Sequence, residues 1–192
     1  MKIRNMLFGL LVCVAIGSGL LGIASQAQTP AASAAPKTTA APARAAGPKA
    51  EENLLQLMRG ILFPSSNVIF AAQSDISKIP PAADPSISTN PLTNTYGGWT
   101  AVENASLALA ESANLLTIPR MCSNGKPAPV QRADWQQFVA GLRKAGQEAY
   151  KAAQSKSSDN IVDASGDVTD ACSACHNVYR DKKGGVAGRC TS

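Results

Sequence analysis

Cys172-Ser173-Ala174-Cys175-His176, near the C-terminal end of a 192-residue chain, sets two thiols three residues apart with an imidazole directly after them. On a helix, positions i and i+3 lie on one face, so both sulfurs point along the same edge. That C-x-x-C-H spacing is the attachment signature of a c-type haem. The two sulfurs meet the two vinyl groups of one porphyrin edge, and the next residue supplies the proximal ligand of the iron. His176 is the only histidine in the sequence, so the ligand choice is forced. Two other chemistries use such thiols. A thioredoxin-like redox pair sits in a βαβ setting, and no strand alternation surrounds this motif. A zinc site needs two more ligands, which Cys122 and Cys190 are able to supply, but the second C-x-x-C of a zinc ribbon is missing.

The N-terminus reads as an export signal over residues 1–27. Lys2 and Arg4 make a positive start, and Met6 to Ala24 is an apolar run of 19 residues broken only by glycines and Ser18. Ser25-Gln26-Ala27 supplies small residues for cleavage before Gln28. A run of that length also spans a bilayer, so an uncleaved N-terminal anchor is the alternative. Export suits a c-type haem, which is attached on the oxidising side of a bacterial membrane, and it permits disulfides. The predicted location is the periplasm, with membrane attachment only if the N-terminal segment stays uncleaved.

Residues 28–50 are of another composition, with ten alanines and four prolines among 23 residues. Such a stretch buries no core and is expected to be a disordered or partly polyproline linker. The net charge of +5 belongs to these first 50 residues, which hold five basic residues and no acid. The remaining 142 residues hold 13 basic and 13 acidic residues, which argues against nucleic-acid binding by the folded part.

Residues 51–192 suffice for one domain, and their periodicity predicts four helices separated by proline-bearing loops. Helix A is expected from Glu51 to Asp75, with Leu54, Met58, Ile61 and Leu62 on one face. Pro64 should kink or break it near Phe63, with Ser65 or Ser66 capping the restart. Helix B should start at a Thr100/Glu103 capping box, run through Val102, Ala105, Leu109, Ala113 and Leu116, and end at Pro119. Helix C, capped by Asp134 with Gln137 three residues on, has the clearest stripe: Trp135, Phe138, Val139, Leu142, Ala145 and Ala149. Helix D should begin near Ser158 or Asp159 and carry Cys172, Cys175 and Tyr179 on its inner face. The predicted class is all-α, an antiparallel four-helix bundle with covalently bound haem near one end. That topology gathers the start of A, the B–C loop and the end of D, where Cys122 and Cys190 are either disulfide-linked or free thiols.

The arrangement resembles the cytochrome c′ family and its low-spin six-coordinate relatives. Cys172, Cys175, His176, Tyr179 and Arg180, read as C-x-x-C-H-x-x-Y-R, carry the resemblance, with Leu57-Met58-Arg59 in the first helix as a second patch. The family implies a distal position on the first helix, matched here by Met58. A methionine there makes the haem six-coordinate and suits electron transfer; a bulky aliphatic leaves the iron open to diatomic gases. Met58 as a core residue and Met121 as the ligand are the alternatives. The resemblance further implies Arg180 beside the haem edge, Arg59 as a propionate partner, and a tendency to form homodimers through the first two helices.

The expectation is therefore an exported monohaem c-type cytochrome. It carries single electrons with His176 as proximal and Met58 as distal ligand, and it is not an enzyme. A five-coordinate protein binding nitric oxide or carbon monoxide is the alternative. Arg120, Lys126, Arg132, Arg180, Lys182, Lys183 and Arg189 fall at the haem end and would steer an acidic redox partner, or simply keep that surface soluble.

Overall fold

The computed structural model describes residues 47–191. The predicted signal peptide or anchor at 1–27, and the linker up to residue 46, lie outside the described residues. Four long helices carry the rest: α1 Leu54–Ala71, α2 Trp99–Leu115, α3 Ala133–Ser155 and α4 Ser158–Tyr179. Short 3-10 turns follow at Ile76–Lys78 and Gly185–Gly188, and the described residues hold no strand beyond an isolated Met121–Pro127 bridge. The all-α class is that predicted from periodicity.

Helix α1 starts at a capping box that the acidic pair Glu51-Glu52 had obscured. Asn53 Oδ1 accepts from Gln56 N at 3.0 Å, and Gln56 Oε1 accepts from Asn53 N at 3.0 Å. Of the kink or break expected near Phe63, no break occurs, and the irregularity lies just before it. A proline at 64 removes one donor and presses its ring against the carbonyl four residues back. The helix has already widened before reaching it: Met58–Leu62 is a π-turn, and Phe63 N–H donates to Met58 O five residues earlier. Ser65 and Ser66 are buried rather than capping, and Ser66 Oγ donates to Phe63 O at 3.0 Å. The helix ends at Ala71, and Asp75 instead caps the following 3-10 turn by accepting from Ser77 N at 3.0 Å.

The other starts also differ from the expected caps. Gly97 and Gly98 close a turn on Asn94 O and Leu92 O, and Gly98, with φ +61°, is the N-cap of α2. Thr100 therefore lies inside the first turn and caps nothing. Arg132, without a side-chain cap bond, is the N-cap of α3, and Asp134 sits in its first turn. Ser157 caps α4, its Oγ accepting from Asn160 N at 3.3 Å. No proline separates α3 from α4. Lys156, with φ +54°, and Ser157 make that connection alone.

The core runs along the predicted stripes. Val102, Leu109 and Ala113 of α2, Trp135, Val139 and Ala149 of α3, and Ile161 and Val168 of α4 are buried together with Leu57, Leu62 and Ile69 of α1. Helix α2 packs along α3, and α3 along α4, while α1 meets α4 mainly through Phe63–Ala71. The α2–α3 approach is tight at Gly146, where a Cβ would lie 2.7 Å from Ala110 N. One end of the domain is then sewn together. Arg120, buried, pairs with Glu52, and Leu54 N–H donates to Met121 O at 2.8 Å. Cys122 and Cys190 form a disulfide with their Cα atoms 6.5 Å apart. Asn124 Nδ2 donates to Arg189 O at 2.9 Å.

Two stability measurements follow from this packing. Gly146→Ala should lower stability by about 1–3 kcal/mol in chemical denaturation, because the helices must part. Gly141→Ala, with nothing within 4 Å of the added methyl, should raise stability by about 0.5–1 kcal/mol. Replacing both Cys122 and Cys190 by serine opens a 68-residue loop and should cost about 4 kcal/mol, read from the shift in denaturation midpoint.

Candidate functional site

Cys172, Cys175 and His176 lie in the last two turns of α4, all partly buried, and the two cysteines pack against the core as Phe138 and Val178 do. The cysteines of the folded region divide cleanly: Cys122 pairs with Cys190, and Cys172 and Cys175 are both free thiols. The disulfide removes Cys122 and Cys190 as zinc ligands. Among the described residues no group of three or more His, Cys, Asp or Glu side chains is placed to hold a metal ion.

Burial sets the protonation of all three groups. It pushes the Cys172 thiol upward, against the opposing pull of Arg180. It pushes Cys175 up to about 11, with the Cys172 and Asp134 charges adding to the effect. Burial likewise lowers His176, as do the charges of Arg180 and Arg189, while Asp181 opposes them. The result at neutral pH is two thiols and a neutral imidazole. Reactive redox cysteines have lowered pKa values and often sit at helix N-termini, so a thiol at a helix C-terminal end suits thiol chemistry poorly.

Tyr179, one turn after Cys175, locks this end of α4 onto α3. Its ring packs edge-on against Trp135 at 5.0 Å and Phe138 at 6.3 Å. Its hydroxyl donates to Asp134 Oδ1 at 2.8 Å and accepts from Arg132 Nε at 3.0 Å. Arg132 also grips Asp134 with two bonds of 3.0 and 3.1 Å. Asp134, expected only as a helix cap, is instead the hub of this network, and Arg132 is tied up in it rather than offered to a partner. Trp135 is core: it is buried, and its indole N–H donates to Leu116 O at 3.0 Å.

The remaining predicted residues are more scattered. Met58 is partly buried against the core at the start of the π-turn, a segment that packs chiefly on α2. Met121 is 48% exposed. Arg59 is exposed and belongs to none of the ion pairs among the described residues. Arg180 is exposed, lies near enough to act on Cys172 and His176, and donates to both oxygens of Asp181 at 2.7 and 2.8 Å. Arg120, counted with the surface charges, is buried and structural, while Lys126 and Lys183 are exposed and Lys182 is half-buried. No protein-family model, curated protein or solved structure matches the chain.

Hydrogen bonds from Arg132 and Tyr179 hold the Asp134 carboxyl at about 2. The same group titrates near 3.9 when unfolded, at about the ordinary aspartate value. A depressed folded pKa gives stability that is complete above that value and lost as pH falls towards 2. Wild-type stability should therefore drop through that window, and the drop should be shallower in Asp134→Asn, as measured by denaturation at stepped pH.

Proposed function

We propose that the chain is an exported, single-haem c-type cytochrome that carries electrons one at a time. The observation that carries this reading is the division of its cysteines. A disulfide takes up Cys122 and Cys190, and the C-x-x-C-H thiols stay free, protonated and side by side with a neutral, partly exposed imidazole. That donor set fits haem c, attached through Cys172 and Cys175 with His176 on the iron. Bound there, the haem supplies the one-electron chemistry, and its iron alternates between two oxidation states.

The surroundings support the same reading. Helix α1 meets α4 mainly beyond the π-turn, and its first half keeps apolar side chains, Leu54, Leu55 and Met58, only partly buried. We read the four helices as an antiparallel bundle of the cytochrome c′ kind. The start of α1, the α2–α3 loop and the end of α4 are joined at one end by the Arg120–Glu52 pair, the Leu54–Met121 bond and the disulfide. The disulfide also fits an oxidising periplasm. With Lys126, Lys182 and Lys183 near the exposed Met121 and Val186, that end suits an acidic redox partner. Arg180 and Arg59 are kept as candidate contacts of the haem. In this reading the protein is a carrier and not an enzyme.

Met58 as distal ligand is the finer part of the proposal. The packing of its segment on α2 favours a second reading, in which Met58 stays in place and the iron is open to nitric oxide or carbon monoxide. An optical spectrum of the exported protein separates the two, oxidised and reduced, beside Met58→Ala. A low-spin spectrum with a weak near-infrared sulfur-to-iron band, lost in the variant, is the expected result. A high-spin ferrous haem that takes up carbon monoxide, unchanged by the substitution, establishes gas binding instead. Absence of covalent haem sinks both.

A further inference from the structure

Arg189 precedes Cys190 in a segment fixed on every side. Its N–H donates to Val186 O at 3.2 Å, and its carbonyl accepts from Asn124 Nδ2 at 2.9 Å. The next N–H, that of Cys190, donates to Tyr179 O at 2.8 Å, and the Cys190 sulfur is bound to Cys122. One donor of this clamped side chain is nonetheless unsatisfied. Its Nε is buried and has no hydrogen-bond partner among the described residues, and the ion pairs found there use other cations. Leaving such a donor without an acceptor costs on the order of 1–3 kcal/mol, so a fold that clamps the backbone around it implies an acceptor. The Cys190–Tyr179 bond sets Arg189 against the end of α4, where Asp181 N–H donates to His176 O at 2.8 Å. Arg180, at the end of the same helix, already gives Nε and Nη2 to Asp181. Arg189 is the open donor beside the C-x-x-C-H turn.

We infer that Arg189 binds a propionate carboxylate of the haem, with the Cys122–Cys190 disulfide acting as the clamp that positions it. A guanidinium suits this role, because its planar fork matches a carboxylate with two parallel bonds. The inference rests on the haem reading above and adds to it a residue and a positioning device.

The test uses the full chain, exported and loaded with haem, as wild type, Arg189→Gln and Arg189→Lys. Two properties are measured: the midpoint potential and the propionate-bending band in the resonance Raman spectrum. Removing a cation beside the haem favours the more positive ferric state, so the potential of Arg189→Gln should fall. The ferric-to-ferrous ratio at fixed applied potential should rise on the order of tenfold. Arg189→Lys keeps the charge and should hold most of the potential while still shifting the Raman band, because the fork is lost. A folded, haem-loaded Arg189→Gln with wild-type potential and band overturns the inference and leaves the haem reading intact. If the glutamine variant is too unstable to purify, an unmoved band in Arg189→Lys overturns it equally. If added sulfate or acetate shifts the potential of wild type but not of Arg189→Gln, the arginine holds a free anion and the propionate assignment falls. A wild-type protein without covalent haem overturns both the reading and the inference.

Discussion

Between Arg180 and Thr191 the chain forms no long helix, and the Cys122–Cys190 bond is the covalent link that ties it to the rest of the domain. A segment so short and polar buries too little apolar surface to order itself. The disulfide ties it to the α2–α3 loop, and the Cys190–Tyr179 backbone bond ties it to the end of α4. The loop is in turn bound to the start of α1 through Met121 and Arg120. Three parts of the chain far apart in sequence thus meet at the end that carries Cys172, Cys175 and His176.

Much of this was legible in the residues. The stripes of α2, α3 and α4 bury as their spacing predicts, since period and burial are the same fact for a helix packed on one side. The disulfide was left open against two free thiols, and the topology brings the pair together. The caps were less legible, because a capping motif describes local bonds that tertiary contacts can outbid. Thr100 and Glu103 have the right spacing, but a glycine turn starts the helix earlier. Asp134 has the right residue type, but its oxygens are taken by Arg132, two residues before it, and by Tyr179 at the end of α4. Arg120 shows the same limit for charge: composition counts it as surface, and only the fold shows it buried against Glu52.

The electrostatics of the site follow from where α4 puts it. Two thiols near a helix C-terminus, partly buried, are held protonated by desolvation and by the negative end of the helix dipole. In the proposed cytochrome this delays their chemistry until a cofactor arrives, and it keeps them out of the exchange that joins Cys122 to Cys190. A more acidic pair in an oxidising compartment would compete for those partners. The separation of roles between the two cysteine pairs is therefore a matter of placement as well as of sequence.

The first helix carries the deepest departure from sequence expectation, and it bears on the distal ligand. An unbroken α-helix would put Leu54, Met58, Ile61 and Leu62 on one buried stripe. The π-turn ahead of Pro64 rotates the residues before it relative to those after it. Leu57 and Leu62, five apart, become the buried pair, and Ile61 turns outward at 36% exposure. Met58 is moved from the middle of the stripe to its edge, where it is half covered. Pro64, through the π-turn that accommodates it, thus decides which residues of α1 the core covers.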